Sequence, residues 1–188
     1  MSEGSQAIGW TSPRPSAGGA CVFIDRDGVV NERILDGYVL DWKDFRWRPD
    51  ALASLRALSA AGRPIVVVSN QSCVGRGLLE RSALIDIMHR MSERLEENGS
   101  PLAAWYCCPH APGDGCDCRK PRPGMLIRAA REGGYELSRS YMIGDTQSDV
   151  DAGSAAGCST YLIDANGANA FARAVERIVT TGRNGDHN

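Results

Sequence analysis

The sequence predicts an α/β protein whose parallel sheet is covered by helices on both faces. Short apolar runs alternate along the chain with amphipathic segments of helical periodicity. Polar side chains follow the ends of four of these runs, which is where open parallel sheets place their ligands. With 188 residues, 43% of them hydrophobic and 23% charged, the chain suffices for one domain with a buried core.

Five segments have the pattern of strands that are buried on both faces. Each is a short apolar run without polar alternation, and turn residues or helical segments separate one run from the next. We predict strands at 21–24, 64–68, 101–107, 141–144 and 160–163.

Four helices are predicted between these strands. Pro49 opens the first and Gly62 ends it, because proline suits the start of a helix and glycine the position after its end. The second has apolar residues at helical spacing along one side, and Gly133 and Gly134 end the third. The predicted helices are 51–61, 80–97, 124–132 and 149–156.

Charge and hydropathy exclude several classes of function. The formal net charge is -2, and no run of like charges indicates a surface for nucleic acid or lipid headgroups. No apolar stretch is long enough to cross a bilayer, and the first residues lack the apolar segment of a secretory signal. We therefore expect a cytoplasmic monomer without nucleic-acid or membrane partners.

Both ends of the chain have the composition of disordered segments. Residues 1–19 are rich in Ser, Gly and Pro, and residues 181–188 are polar in the same way. The predicted domain therefore covers residues 20–180.

Two carboxylates stand one residue apart at the end of the first predicted strand. Asp25 and Asp27 could bind Mg²⁺, or supply a nucleophile and a proton donor, and Gly28 permits a sharp turn beside them. Alone, this pair is more typical of a loop that begins with acidic turn formers. Further polar residues follow other strands, and in a parallel sheet these ends share one edge. They are Ser69, Asn70, Arg119, Lys120, Asp145 and Asp149.

Four short motifs resemble those of the haloacid dehalogenase superfamily, whose members are mostly phosphatases. They are D-R-D-G at 25–28, S-N-Q at 69–71, Lys120 in C-R-K-P, and G-D-T-Q-S-D at 144–149. Each motif is weak alone, but all four occur in order, each where a strand is predicted to end. The resemblance covers residues 20–163 and implies a Rossmann-like sheet, without a large cap domain because the intervals between motifs are filled by predicted elements.

This resemblance implies a role for each matching residue. Asp25 attacks phosphorus to form an aspartyl-phosphate, and Asp27 protonates the leaving oxygen and then activates water. Mg²⁺ is held by Asp25, Asp145 and the backbone carbonyl of Asp27, while Ser69 and Lys120 bind phosphoryl oxygens.

Asp149 has two interpretations at this point. It could contact the metal site from behind, or it could cap the helix that it begins.

A second metal is predicted in the loop that precedes Lys120. Cys108, His110, Cys116 and Cys118 supply three thiolates and one imidazole, a set that suits a closed tetrahedral Zn²⁺ site of structural type. Cys107 could replace Cys108 as a ligand, and free loop thiols are the alternative to a metal. Zinc would stiffen this polar loop and so place Arg119 and Lys120 over the phosphate.

The zinc loop narrows the resemblance to two related families, the heptose-bisphosphate and histidinol-phosphate phosphatases. Both carry C-P-H and C-x-C-R-K-P. The motifs at 37–39, 70–72, 76–77 and 119–125 resemble the heptose enzymes. The gap of five residues between His110 and Cys116 resembles the histidinol enzymes, and Thr146 stands where heptose enzymes often have lysine.

The resemblance implies a phosphatase that removes the 7-phosphate of D-glycero-D-manno-heptose 1,7-bisphosphate for nucleotide-heptose synthesis. Asn70, Arg76 and Arg119 are candidates to hold this sugar-phosphate substrate, since guanidinium groups suit a second phosphate. Arg76 could equally be a solvated loop charge. The alternatives are a histidinol-phosphate phosphatase and a catalytically silent, zinc-stiffened binding module.

Overall fold

The computed structural model describes residues 6–13 and 19–185, with side chains as far as residue 181. Its strands are β1 (Ile8–Thr11), β2 (Val22–Ile24), β3 (Ile65–Asn70), β4 (Ala104–Cys108), β5 (Tyr141–Gly144) and β6 (Ser159–Leu162). Its helices are α1 (Ala51–Ala60), α2 (Ser72–Gly75), α3 (Arg81–Glu97), α4 (Gly124–Gly133), α5 (Gln147–Ala156) and α6 (Ala170–Gly185). Short 3-10 turns lie at Trp42–Asp44 and Leu137–Arg139.

These strands form one six-stranded sheet in the order β1-β4-β3-β2-β5-β6. Every neighbouring pair is parallel except β1 and β4, which run antiparallel with Ile8 opposite Cys107. Alternate residues of the strands enter different cores, so that Val22 and Ile24 pack with residues of α1, α3 and α6, whereas Phe23 packs with residues of α4 and α5. Helices therefore cover both faces, which confirms the predicted fold class.

The expectation of disorder in residues 1–19 is wrong for Ile8–Thr11, which forms the edge strand β1. Its four residues are too few to stand out in a segment rich in Ser, Gly and Pro, and the partner strand β4 lies about a hundred residues later. Residues 1–5 and 14–18 of the predicted disordered segment lie outside the described residues.

The chain also remains ordered beyond the predicted boundary at residue 180, because α6 runs to Gly185. Phe171, Val175 and Ile178 of this helix are buried in the same core as α1. No element was predicted at 170–180 from the sequence, and only 186–188 of the predicted disordered tail lie outside the described residues. Among the described residues, no helix is long and apolar enough to cross a membrane.

Candidate active site

Asp25 and Lys120 form the centre of the site, at the carboxyl ends of β2 and β3. Both side chains are buried, and Lys120 Nζ donates to Asp25 Oδ1 and to the carbonyl of Val68, each at 2.8 Å. The backbone N–H of Arg26 donates to the same carboxylate oxygen at 2.8 Å. Burial raises the pKa of Asp25 to about 7, although the charge of Lys120 opposes that shift.

Asn70 positions Lys120 rather than presenting its whole amide to the cleft. Its Nδ2 donates to the carbonyl of Lys120 at 3.0 Å, and its Oδ1 accepts from the Lys120 backbone N–H at 3.1 Å. These two bonds join the end of β3 to the segment that follows the cysteine-rich loop. The position of Lys120 therefore depends on the end of β3 as well as on the loop that carries Lys120, although the two are far apart in sequence.

Three carboxylates are close enough to share a cation. One oxygen each from Asp25, Asp145 and Asp149 lies within 4.8 Å of the others. Burial raises the pKa of Asp145 to about 6, and its buried Oδ2 has no hydrogen-bond partner among the residues that the structure describes. A Cβ at position 28 would collide with that oxygen, so glycine keeps this space open. Hard carboxylate oxygens around an unsatisfied buried position fit Mg²⁺.

Asp149 lies beside Lys120 in the carboxylate cluster and also in the first turn of α5. Its Oδ1 lies 2.5 Å from Lys120 Nζ, an ion pair in which both groups are buried. Its Oδ2 accepts from the backbone N–H of Thr146 at 3.1 Å and from Thr146 Oγ1 at 2.6 Å. Thr146 is the N-cap of α5 and Asp149 its third residue, so Asp149 completes a capping box rather than being the cap itself.

Asp27 is held by three neighbouring side chains. Arg26 Nη2 donates to both of its oxygens, at 2.9 and 3.0 Å, Asn31 Nδ2 donates at 3.0 Å, and Gln71 Nε2 donates at 2.7 Å. Burial opposes ionisation of Asp27, but the charge of Arg26 and these hydrogen bonds outweigh it and lower the pKa of Asp27. Asp27 is therefore a carboxylate in the free protein.

Arg26, Asn31 and Gln71 were not predicted from the sequence to have a role in the site. Gln71 Nε2 also donates to Ser69 Oγ at 2.8 Å, so Gln71 connects the Ser69 hydroxyl to Asp27. The signal in the sequence was that Arg26 and Gln71 are polar residues adjacent to predicted site residues, whereas Asn31 lies four residues after Asp27; such positions are common on any loop.

A cleft of about 450 Å³ opens in front of Asp27. Of the three predicted substrate-binding residues, Asn70 and Arg76 line this cleft, together with Arg33. Arg33 Nη2 donates to Asp145 Oδ1 at 2.8 Å, so it spans from the cleft to the carboxylate cluster. The other residues that line the cleft are Arg26, Ile34, Asp36, Gly37, Tyr38 and Val39.

Arg119 is not among the residues that line the cleft at Asp27. It lies with Lys120 along a separate pocket of about 400 Å³ beside Cys116, and its Nη1 donates to the carbonyl of His110 at 3.2 Å. The cysteine-rich loop therefore holds Arg119 in this separate pocket and not in the cleft at Asp27.

Cys108, His110, Cys116 and Cys118 converge as a four-residue cluster. Cys116 Sγ lies 3.6 Å from each of the other two sulfurs, and His110 Nδ1 lies 3.5 Å from Cys108 Sγ and 3.3 Å from Cys118 Sγ. Tetrahedral zinc with ordinary bond lengths requires about 3.8 Å between sulfurs and about 3.5 Å from sulfur to nitrogen. The four donors thus fit zinc with only small shifts.

The arrangement of these four side chains also favours the ionised, thiolate form of Cys108. A hydrogen bond from the Cys118 thiol, together with bonds from His110, lowers the pKa of Cys108 to about 5. Cys107 instead points into the core on the opposite face of β4, which rules it out of the cluster and supports the choice of Cys108.

The chain is similar to known proteins over most of its length. A family model described as HAD-hydrolase-like matches residues 117–177. The D-glycero-alpha-D-manno-heptose-1,7-bisphosphate 7-phosphatase of Mycobacterium tuberculosis is 37% identical over 132 residues, which are 70% of each chain. The corresponding beta-heptose enzyme of Pseudomonas aeruginosa is 36% identical over 143 residues, covering 76% of this chain and 79% of the relative.

A solved structure is similar over most of its length. The D,D-heptose 1,7-bisphosphate phosphatase from B. bronchiseptica, complexed with magnesium and phosphate, superposes with a TM-score of 0.79 at 31% identity and covers 86% of this chain and 99% of that one. Fold and relatives together define a phosphoric monoester hydrolase. The chain belongs to the haloacid dehalogenase-like hydrolases, in the family that contains the heptose-bisphosphate phosphatases.

Proposed function

We propose that this chain is a Mg²⁺-dependent phosphatase that removes the 7-phosphate of D-glycero-D-manno-heptose 1,7-bisphosphate in the cytoplasm, for nucleotide-heptose synthesis. The observation that carries the proposal is the placement of Asp25 and Asp27 at one strand end, with Lys120 bonded to the first and an arginine-lined cleft in front of the second. Relatives of both anomeric specificities, at 37% and 36% identity, support the substrate class.

The reaction would proceed in two displacements on Asp25. Its carboxylate attacks phosphorus while the bond from phosphorus to the sugar oxygen breaks, and Asp27 gives that oxygen its proton. Water then attacks the phosphorus of the aspartyl-phosphate and passes a proton to Asp27. The bond from phosphorus to the Asp25 oxygen breaks, so that inorganic phosphate is released and the Asp25 carboxylate is regenerated. An arriving phosphoryl dianion favours the protonated form of Asp27 that the first step needs, because like charges disfavour ionisation.

The remaining site residues neutralise and position the phosphoryl group. Lys120 supplies a positive charge, and the buried Ser69 hydroxyl supplies a donor. Asp25, Asp145 and the backbone carbonyl of Asp27 would hold Mg²⁺, which when bound supplies further neutralisation of phosphoryl charge. Zinc held by the four Cys and His ligands would keep the loop before Lys120 rigid.

The cleft is suited to a second phosphate rather than to an amine. Arg33 and Arg76 line it, whereas Asp36 is its one carboxylate besides Asp27 among the described lining residues. The cationic amine of histidinol phosphate would face these guanidinium groups, while the 1-phosphate of a heptose bisphosphate would be attracted to them.

Steady-state kinetics on both heptose 1,7-bisphosphate anomers and on histidinol phosphate test the substrate. We expect kcat/KM for the better anomer to exceed that for histidinol phosphate by at least roughly 10²-fold. Arg76→Ala should lower this ratio, whereas the matched control Arg90→Ala, an exposed arginine of α3, should leave it unchanged. Equal or faster hydrolysis of histidinol phosphate would overturn the heptose assignment.

A further inference from the structure

We infer that Arg26 is a positioning residue that fixes the Asp27 carboxylate for proton transfer to the leaving oxygen, an inference that rests on the proposed two-displacement mechanism. Arg26 is only 1% exposed, which is unusual for a permanently charged side chain. Asp27, in contrast, is 26% exposed and faces the cleft. Although Arg26 also borders the cleft, its side chain is almost fully covered, whereas the Asp27 carboxylate is open to the cleft.

The contact between the two side chains is a fork against a carboxylate. Arg26 Nη2 lies 2.9 Å from Asp27 Oδ1 and 3.0 Å from Asp27 Oδ2, and Nε lies 3.3 Å from Oδ1. Nη2 also donates to Gln71 Oε1 at 3.2 Å, and Nη1 lies 3.8 Å from the sulfur of Met88 on α3. The guanidinium group is therefore fixed on one side by the core and on the other by Gln71.

Such a fork orients the carboxylate as well as neutralising it. The terminal torsion of an aspartate is broad, so the plane of its two oxygens is poorly defined without partners. Donation from Arg26 to both oxygens sets this plane, and the bonds from Asn31 and Gln71 hold each oxygen from its other side. A proton on Asp27 is then presented to the cleft in one direction, and a misplacement of about 1 Å can cost roughly 10²-fold in rate.

Stability alone is a poor reason for this arrangement. A buried ion pair is often no more stabilising than apolar side chains of the same volume, because both charges lose their hydration. A role through Asp27 instead makes a distinct kinetic prediction, because proton donation matters in proportion to how poor the leaving group is.

The test compares two substrates on the same enzyme sample. The sugar oxygen of a heptose bisphosphate leaves as an alkoxide and needs a proton, whereas p-nitrophenolate leaves from p-nitrophenyl phosphate without one. The ratio of the two kcat/KM values concerns formation of the aspartyl-phosphate, and it does not depend on how much of the sample is folded. A variant that is merely destabilised therefore leaves the ratio unchanged.

We expect Arg26→Met to lower kcat/KM for the heptose bisphosphate roughly 10-fold to 100-fold more than for p-nitrophenyl phosphate. Arg26→Lys should restore little of this loss, because an ammonium group cannot form the fork. Asp27→Asn is the control, and adding Arg26→Met to it should cause no further change in the ratio.

The outcomes separate the inference from the proposed mechanism. If Asp27→Asn changes the ratio and Arg26→Met does not, Arg26 is not a positioning residue. If Asp27→Asn itself leaves the ratio unchanged, the assignment of Asp27 as the proton donor fails.

Discussion

Replacing Asp50 by alanine tests how the C-terminal helix is attached to the rest of the domain. Asp50 Oδ2 accepts from the backbone N–H groups of Phe171 and Ala172, at 3.0 and 3.2 Å, in the first turn of α6. Its Oδ1 accepts from Arg48 Nε at 3.0 Å, and both side chains are buried. Arg48 in turn donates to the carbonyl of Gly28, in the turn that follows β2.

The expected loss of stability follows from these bonds. Removing a helix-capping carboxylate costs about 1 kcal/mol, and removing an acceptor from a charged donor costs about 1.5–3 kcal/mol. Asp50→Ala should therefore destabilise the protein by about 2–4 kcal/mol. For a chain of this length each kcal/mol lowers the Tm by about 2–4 °C, so the Tm should fall by roughly 5–15 °C.

The pH dependence of stability should change as well. Burial works against ionisation of Asp50, but the bond from Arg48 and the N–H of Ala172 outweigh it and lower the pKa of Asp50. The folded protein then binds fewer protons at this group than the unfolded chain does. Its contribution to stability is present above the ordinary aspartate pKa of about 3.9 and is lost as the pH falls through the lowered value.

Urea unfolding followed by circular dichroism, at neutral pH and at about pH 4 and below, measures both effects. Asp86→Ala is the matched control, because Asp86 is an exposed aspartate paired with Arg90 and should change stability by no more than about 0.5 kcal/mol. If Asp50→Ala unfolds within about 0.5 kcal/mol of the parent protein, Asp50 does not cap α6.

Two further predictions concern the site and its metals. Asp25→Asn should abolish phosphatase activity, because an amide cannot attack phosphorus, while circular dichroism should show an intact fold. The control Asp151→Asn, at an exposed position on α5, should remain active. An active Asp25→Asn enzyme would refute the aspartyl-phosphate intermediate. Elemental analysis should find about one zinc per chain after mild chelation has removed Mg²⁺ and activity. Cys118→Ser should lose zinc and thermal stability, unlike Cys158→Ser, and an active protein purified without zinc would contradict this site.

The order of strands and helices could be predicted from the sequence because it depends on local patterns. Apolar runs and helical spacing located β2 to β6 and the helices α1, α3, α4 and α5 to within a few residues. The four Cys and His donors were equally accessible, since all lie within residues 108–118. Polar residues at strand ends indicated the edge of the sheet where Asp25, Lys120 and Asp145 meet.

Only the tertiary structure decided the contacts between residues that are far apart in the chain. The Asp50 cap lies 121 residues before the helix that it stabilises, and β1 gains its hydrogen bonds from β4, so neither β1 nor α6 has a complete local signal. The pairing of Lys120 with Asp149, and the separation of Arg119 from the cleft at Asp27, depend in the same way on how loops pack. Sequence determined which chemical groups the site contains, because their types and spacing are local. Packing determined which of these groups form hydrogen bonds with each other, because such bonds form only where folding brings a donor to an acceptor.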